Sequence, residues 1–196
     1  MKIIAVERRS DEQTSRLHEA VATDAQPAPD CLQSSLLADS AVVRTGTPLF
    51  LPDFASTWML EIVPAVVIDR LGKWIEPRFS SRYYSEALLA ARLLPPEGCP
   101  EGGFAMSFDG AFAPGPHLPF PESGDFAICV DGKDEFSLSS DVLCIDDTVA
   151  LVSRFMMLKT GDIIIPCRTP LRMSVAPGMR IHATLNGADA LDLKIR

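Results

Sequence analysis

An α+β fold with a predominantly β core is what this sequence predicts, and three observations carry the prediction. The apolar runs, such as Ala65-Val66-Val67-Ile68 and Ile163-Ile164-Ile165, are strand-sized. Turn signals recur throughout, among them Thr45-Gly46-Thr47-Pro48, Asp131-Gly132, Pro177-Gly178 and Asn186-Gly187. Helical spacing is confined to two or three stretches.

Taken in order, Lys2 to Val6 alternates and reads as a first strand, and Glu7 to Asp30 as a polar helix followed by a loose surface excursion. Ala41 to Asp53 has the spacing of a hairpin closed by the turn at Gly46. Trp58 to Asp69 is a long apolar strand, turned back by Arg70-Leu71-Gly72-Lys73. Ser81 to Leu94 is rich in good helix formers and stops at Pro95-Pro96, which predicts a helix, and 95–103 is a loop. Phe104 to Pro121 reads as a strand approaching a cleft or as an irregular core crossing. Phe126 to Val130 is a strand. Asp146 to Leu158 is a helix capped by Asp146 or Asp147, and Asp162 to Ile195 holds three short strands.

The chain has 196 residues, 47% of them hydrophobic and 22% charged, which fits a single domain over 1–196 whose residues 1–40 are in part appended or loosely packed. A net charge of −8, with Lys and Arg dispersed along the chain, argues against nucleic acid and membrane surfaces as partners. Apolar runs fall far short of a bilayer span, and charges interrupt the N-terminus too early for a signal peptide, so a cytoplasmic protein is expected. Five cysteines at wide, irregular spacings, with no Cys-x-x-Cys pair, read as reduced packed thiols.

From Val152 to Ile164 the chain runs Ser153-Arg154-Phe155-Met156-Met157-Leu158-Lys159-Thr160-Gly161-Asp162, followed by Thr169-Pro170 and Pro177-Gly178. This resembles the end of the fumarylacetoacetate hydrolase family, where a helix, a "tLkpGDii" turn and a "TGTP" loop occur in that order. Four further segments agree in order and spacing: Met1 to Val6, Pro52-Asp53-Phe54 leading into Glu61 to Ile68, Arg82-Tyr83-Tyr84, and Ser107-Phe108-Asp109-Gly110 with Pro114-Gly115-Pro116, which resembles "KxFDxxxPxGP". The resemblance implies a mixed β-sheet core with a few short helices, a homodimer, and Mg²⁺ or Mn²⁺ in a cleft. There the ion chelates an acylpyruvate-like keto acid for carbon–carbon bond hydrolysis, decarboxylation or isomerisation.

The motif positions have changed. The family's Glu-x-Glu metal pair reads Glu61-Ile62-Val63, and the aspartate of its next metal segment falls at Arg92, with Glu97 reachable only by shifting the register. Met106 replaces the motif lysine, Gln13 the histidine, and Arg168 the loop glycine beside Thr169. The reading is therefore a catalytically inactive homologue with no metal cofactor, in whose cleft Arg92, Arg168 and Thr169 face a small anionic metabolite. The alternative is a divergent Mg²⁺- or Mn²⁺-dependent hydrolase, decarboxylase or isomerase built on Glu61, Glu97 and Asp109.

Each residue also has a plainer reading. Glu61 is a vestigial metal ligand or, more simply, a salt-bridged strand glutamate. Asp109 is a catalytic candidate or the residue that fixes the turn before Gly110. His117, near the family cleft, is the other catalytic candidate and a candidate ligand contact, whereas His18 reads as exposed and His182 as structural. Cys167 beside Arg168 has the charge environment of an activated thiol but no adjacent histidine.

Overall fold

The fold is a computed structural model, described at residues 1–7, 33–95, 107–132, 134–139, 143–166 and 171–196. In chain order its strands are β1 (Ile3–Glu7), β2 (Gln33–Leu37), β3 (Trp58–Ile68), β4 (Tyr84–Leu94), β5 (Phe112–Pro114), β6 (Leu118–Pro119), β7 (Asp125–Val130) and β8 (Asp134–Ser139). After helix α1 (Ile145–Phe155) come β9 (Ile163–Ile165), β10 (Leu171–Val175), β11 (Arg180–Leu185) and β12 (Ala188–Lys194). Two 3₁₀ turns, Asp39–Ala41 and Pro77–Tyr83, complete the set among the described residues.

The larger sheet runs β2-β1-β9-β3-β4-β5, with β10 beside β3 and β6 beside β4. It is mixed, because β1 and β9 are parallel while β3 and β4 are antiparallel. The smaller sheet is β12-β11-β7-β8. This is the expected α+β, predominantly β architecture.

Strand periodicity divides the interior in two. On β3, Leu60, Ile62, Val66 and Ile68 enter a core shared with the smaller sheet and with Ile145, Val149 and Val152 of α1. Val63, Ala65 and Val67 face the other way, onto Ile3, Ala5, Leu88, Ala90, Phe112 and Ile165. Pro64 interrupts β3 within its long pairing with β4, where it stands opposite Leu89.

Several expectations need correcting. Ser81 to Leu94 is mainly the long strand β4, not a helix. Its residues from Ala87 to Leu93 are buried on both faces, so its Ala and Leu fill two cores, and sheet pairing overrides helix propensity. The turn at Gly46 does form, with Thr47 N–H donating to Arg44 O, but no hairpin follows: Val42 bridges to Phe112 and Leu49 to Ile195. Helix α1 has Cys144 at its N-cap with no side-chain cap, and Asp146 and Asp147 instead lie in the first turn, where they complement the helix dipole. The C-terminal stretch contains four strands, not three. The polar helix and excursion expected after Glu7 lie outside the described residues, as does the 95–103 loop beyond Pro95.

Glycines mark where the layers meet. A Cβ on Gly115 would come within 1.8 Å of Ala190 O on β12 and 2.9 Å of Leu89 O on β4. Pro114-Gly115-Pro116 is thus the crossing at which the two sheets touch, and only a residue without a side chain fits.

Candidate functional site

On the face of the larger sheet opposite the shared core, one row of side chains crosses four strands. The registers place Phe112 beside Arg92, Arg92 beside Glu61, and Glu61 beside Arg172. Glu61 shares its face with Val63, and Arg92 shares its face with Ala90, because alternate residues on a strand point the same way.

Glu61 is 1% exposed and Arg92 4% exposed, so both charges have left water. Arg92 Nη1 donates to Glu61 Oε2 at 3.4 Å. Arg172, whose side chain is 64% exposed, lays its Nε 2.5 Å from Glu61 Oε1. That contact is an ion pair without hydrogen-bond alignment, and Oε1 has no hydrogen-bond partner among the described residues. A buried carboxylate is tolerable only when it is paired, and here two guanidinium groups pair it. The plainer reading of Glu61, as a salt-bridged strand residue, is its observed setting.

A hard divalent ion needs several oxygen ligands converging on one point. At the two other positions to which the family resemblance assigns carboxylates stand Val63, packed in hydrocarbon, and Arg92, whose guanidinium occupies the remaining carboxylate. Among the described residues no group of three or more His, Cys, Asp and Glu side chains is placed to hold a metal. The donors at these described positions do not fit Mg²⁺ or Mn²⁺.

The other candidates are scattered. Asp109 lies in the turn closed by Ala111 N–H donating to Phe108 O, just before Gly110 at φ 84°, and it is exposed. His117 Nδ1 lies 2.9 Å from Glu86 Oε2 at the β4–β6 rim. Glu86 is six residues from Arg92 along β4, so His117 stands about 20 Å from the arginine row. His182 sits on the outer face of β11, its Nε2 3.2 Å from Asp189 Oδ1. Arg168, Thr169, Cys167, Met106, Glu97, Gln13 and His18 lie outside the described residues.

Arg172 escaped the sequence reading. Leu171 to Val175 alternates like a strand, which hints that Arg172 points away from the core, but nothing in the sequence says that β10 pairs with β3 opposite Glu61.

Comparison with known proteins gives likeness in structure only. No family model matches the chain, and no curated protein matches it in sequence. Among solved structures, fumarylpyruvate hydrolase from Pseudomonas aeruginosa, in complex with Mn²⁺ and pyruvate, superposes with a TM-score of 0.72 at 18% identity, covering 100% of this chain and 89% of that one. A fumarylacetoacetate hydrolase family protein from Yersinia pestis gives 0.75 at 18%, covering 100% and 93%. The 2-hydroxyhepta-2,4-diene-1,7-dioate isomerase from Mycobacterium marinum gives 0.77 at 19%, covering 99% and 73%. Likeness at this level of identity fixes the fold that these proteins share.

Proposed function

We propose that this chain, which has the fumarylacetoacetate hydrolase fold, is a homologue that binds a small carboxylate without a metal and does not turn it over. The single observation that carries this is the Arg92–Glu61–Arg172 row. Where a metal-dependent relative needs oxygen donors, this chain places a carboxylate between two cations. The exposed guanidinium of Arg172 offers a planar fork of donors, the group best suited to hold a carboxylate directly.

The neighbour from P. aeruginosa holds Mn²⁺ together with pyruvate. In this chain the corresponding ligand is a pyruvate-like anion held by arginine alone. Calorimetric titration with MnCl₂ and MgCl₂ should give no binding heat, and pyruvate should bind in the presence of a chelator, with the affinity lost in Arg172→Ala. Tight Mn²⁺ binding together with acylpyruvate hydrolysis that disappears in Glu61→Ala would overturn the reading.

One observation favours the alternative, a divergent metal-dependent hydrolase, decarboxylase or isomerase. Glu61 survives, and its Oε1 accepts no aligned hydrogen bond. An ion there would first have to displace Arg172. The same titration decides between the two readings.

A further inference from the structure

The arginine row has a neighbour on the same face of the larger sheet. Alternate residues on a strand point the same way, so the side chain next to Glu61 toward the start of β3 is Met59. Its register partners are Leu94 on β4 and Ser174 on β10. Leu94–Met59–Ser174 is therefore a second row, parallel to Arg92–Glu61–Arg172 and about 7 Å from it, two residues of strand rise away.

The surroundings of the arginine row are unequal. Toward the end of β3 lie Val63 and Ala90, both buried in the second core. At the β5 end Phe112, fully buried beside Arg92, closes the row. Toward the start of β3, by contrast, Met59 and Leu94 are half-buried and Ser174 is exposed. Met59 and Leu94 are apolar, yet they join neither core among the described residues. Their neighbours Leu171 and Met173 on β10 do pack against the shared core, from the opposite face of the sheet.

A carboxylate held by Arg172 meets this asymmetry. Arg172 faces Glu61 through Nε, so its two Nη groups carry the donors left for a ligand. The rest of the ligand has no room over Val63 and Ala90, where the side chains are close-packed, nor beyond Phe112. Over Met59 and Leu94 it meets hydrocarbon, with one hydroxyl, that of Ser174, at the β10 side. This second row holds no Lys, Arg or His to receive a further negative charge. Methionine, unbranched and polarizable, adapts to an aliphatic chain.

We infer, resting on the reading of Arg172 as the group that holds the anion, that the ligand is a monocarboxylate with an aliphatic body, its head on Arg172 and its chain across Met59 and Leu94. Those two residues set the specificity, in favour of a hydrocarbon tail and against a second carboxylate.

Calorimetric titration of the full chain with pyruvate, α-ketovalerate and α-ketoglutarate, in the presence of a chelator, tests this. The last two have equal numbers of carbons and differ in ending on a methyl group or a carboxylate. α-Ketovalerate, which lays two further methylenes on hydrocarbon, should bind about fivefold or more tighter than pyruvate, and α-ketoglutarate no tighter than pyruvate. Met59→Gln, which keeps the length of the side chain, should erase the gap between α-ketovalerate and pyruvate, and Met59→Lys should turn the preference toward α-ketoglutarate. Met157→Gln, at an exposed methionine after α1, should leave the preference as it is. Equal affinities for pyruvate and α-ketovalerate, tighter binding of α-ketoglutarate by the parent, or a preference that survives Met59→Gln overturns the inference while leaving Arg172-dependent pyruvate binding in place. Failure of all three acids to bind removes the reading of Arg172 itself, and this inference with it.

Discussion

Glu61 and Arg92 face each other in register across β3 and β4, carboxylate and guanidinium both almost wholly out of water. Removing Arg92 leaves the buried Glu61 with only the exposed guanidinium of Arg172, so Arg92→Ala should cost up to about 3–5 kcal/mol in urea unfolding. Replacing both, as Glu61→Leu with Arg92→Leu, removes the desolvation cost along with the attraction and should leave stability within about 1.5 kcal/mol of the parent. Additive losses in the double variant would show that the two residues do not act as a pair.

Gly115 gives a steric prediction independent of charge. Alanine there would put a methyl group 1.8 Å from Ala190 O, and the obstacle is backbone on both sides. Gly115→Ala should therefore force the two sheets apart and cost at least ~3 kcal/mol, or prevent folding. Gly46→Ala meets nothing within 4 Å and bears only the strain of φ 81°, so about 1–2 kcal/mol is expected. Thermal midpoints of the two variants measured side by side distinguish a clash from a backbone preference.

The contrast between β3 and β4 shows what the sequence could and could not reveal. β3 is rich in β-branched residues and reads as a strand at once. β4 has neither alternation nor β-branching from Ala87 to Leu93, because both of its faces are buried there and small residues suit the crowding. That Glu61, Val63 and Arg92 lie near one another was legible from the family resemblance, and the β3–β4 register does set Glu61 beside Arg92. Arg172 was not legible, because its role depends on a pairing between segments more than a hundred residues apart.

Asp162, in the Gly161-Asp162 turn of the family-like motif, holds the start of the chain to the start of β9. Its carboxylate accepts Lys2 N–H at 2.8 Å and Lys159 N–H at 2.8 Å, and pairs with Lys2 Nζ at 2.5 Å, while being almost fully buried. Asp162→Asn keeps an acceptor oxygen but loses the charge that strengthens these bonds, and should cost about 2–3 kcal/mol. Lys2→Met removes only the partly exposed ammonium and leaves both backbone donors in place, so a loss of about 1 kcal/mol or less is expected. Equal losses in the two variants would mean that the motif aspartate serves the ion pair alone.

Tyr84 makes the last prediction, one of pH. Its hydroxyl donates to Asp146 Oδ1 at 2.8 Å, and burial first, then the neighbouring carboxylate, push the phenol well above its ordinary 10.0. The native state therefore keeps this proton at pH values where the unfolded chain has released it. Stability from this group is fully present below 10.0, the unfolded value, and falls progressively as pH rises above it. Tyr84→Phe abolishes the titration, so its stability should fall less steeply than the parent's above that pH even though it is lower at neutrality. Lys and other groups titrate in the same range, and subtracting one urea-midpoint profile from the other isolates the Tyr84 contribution. A difference that stays flat across the alkaline limb would show that the phenol ionises as readily in the fold as in water.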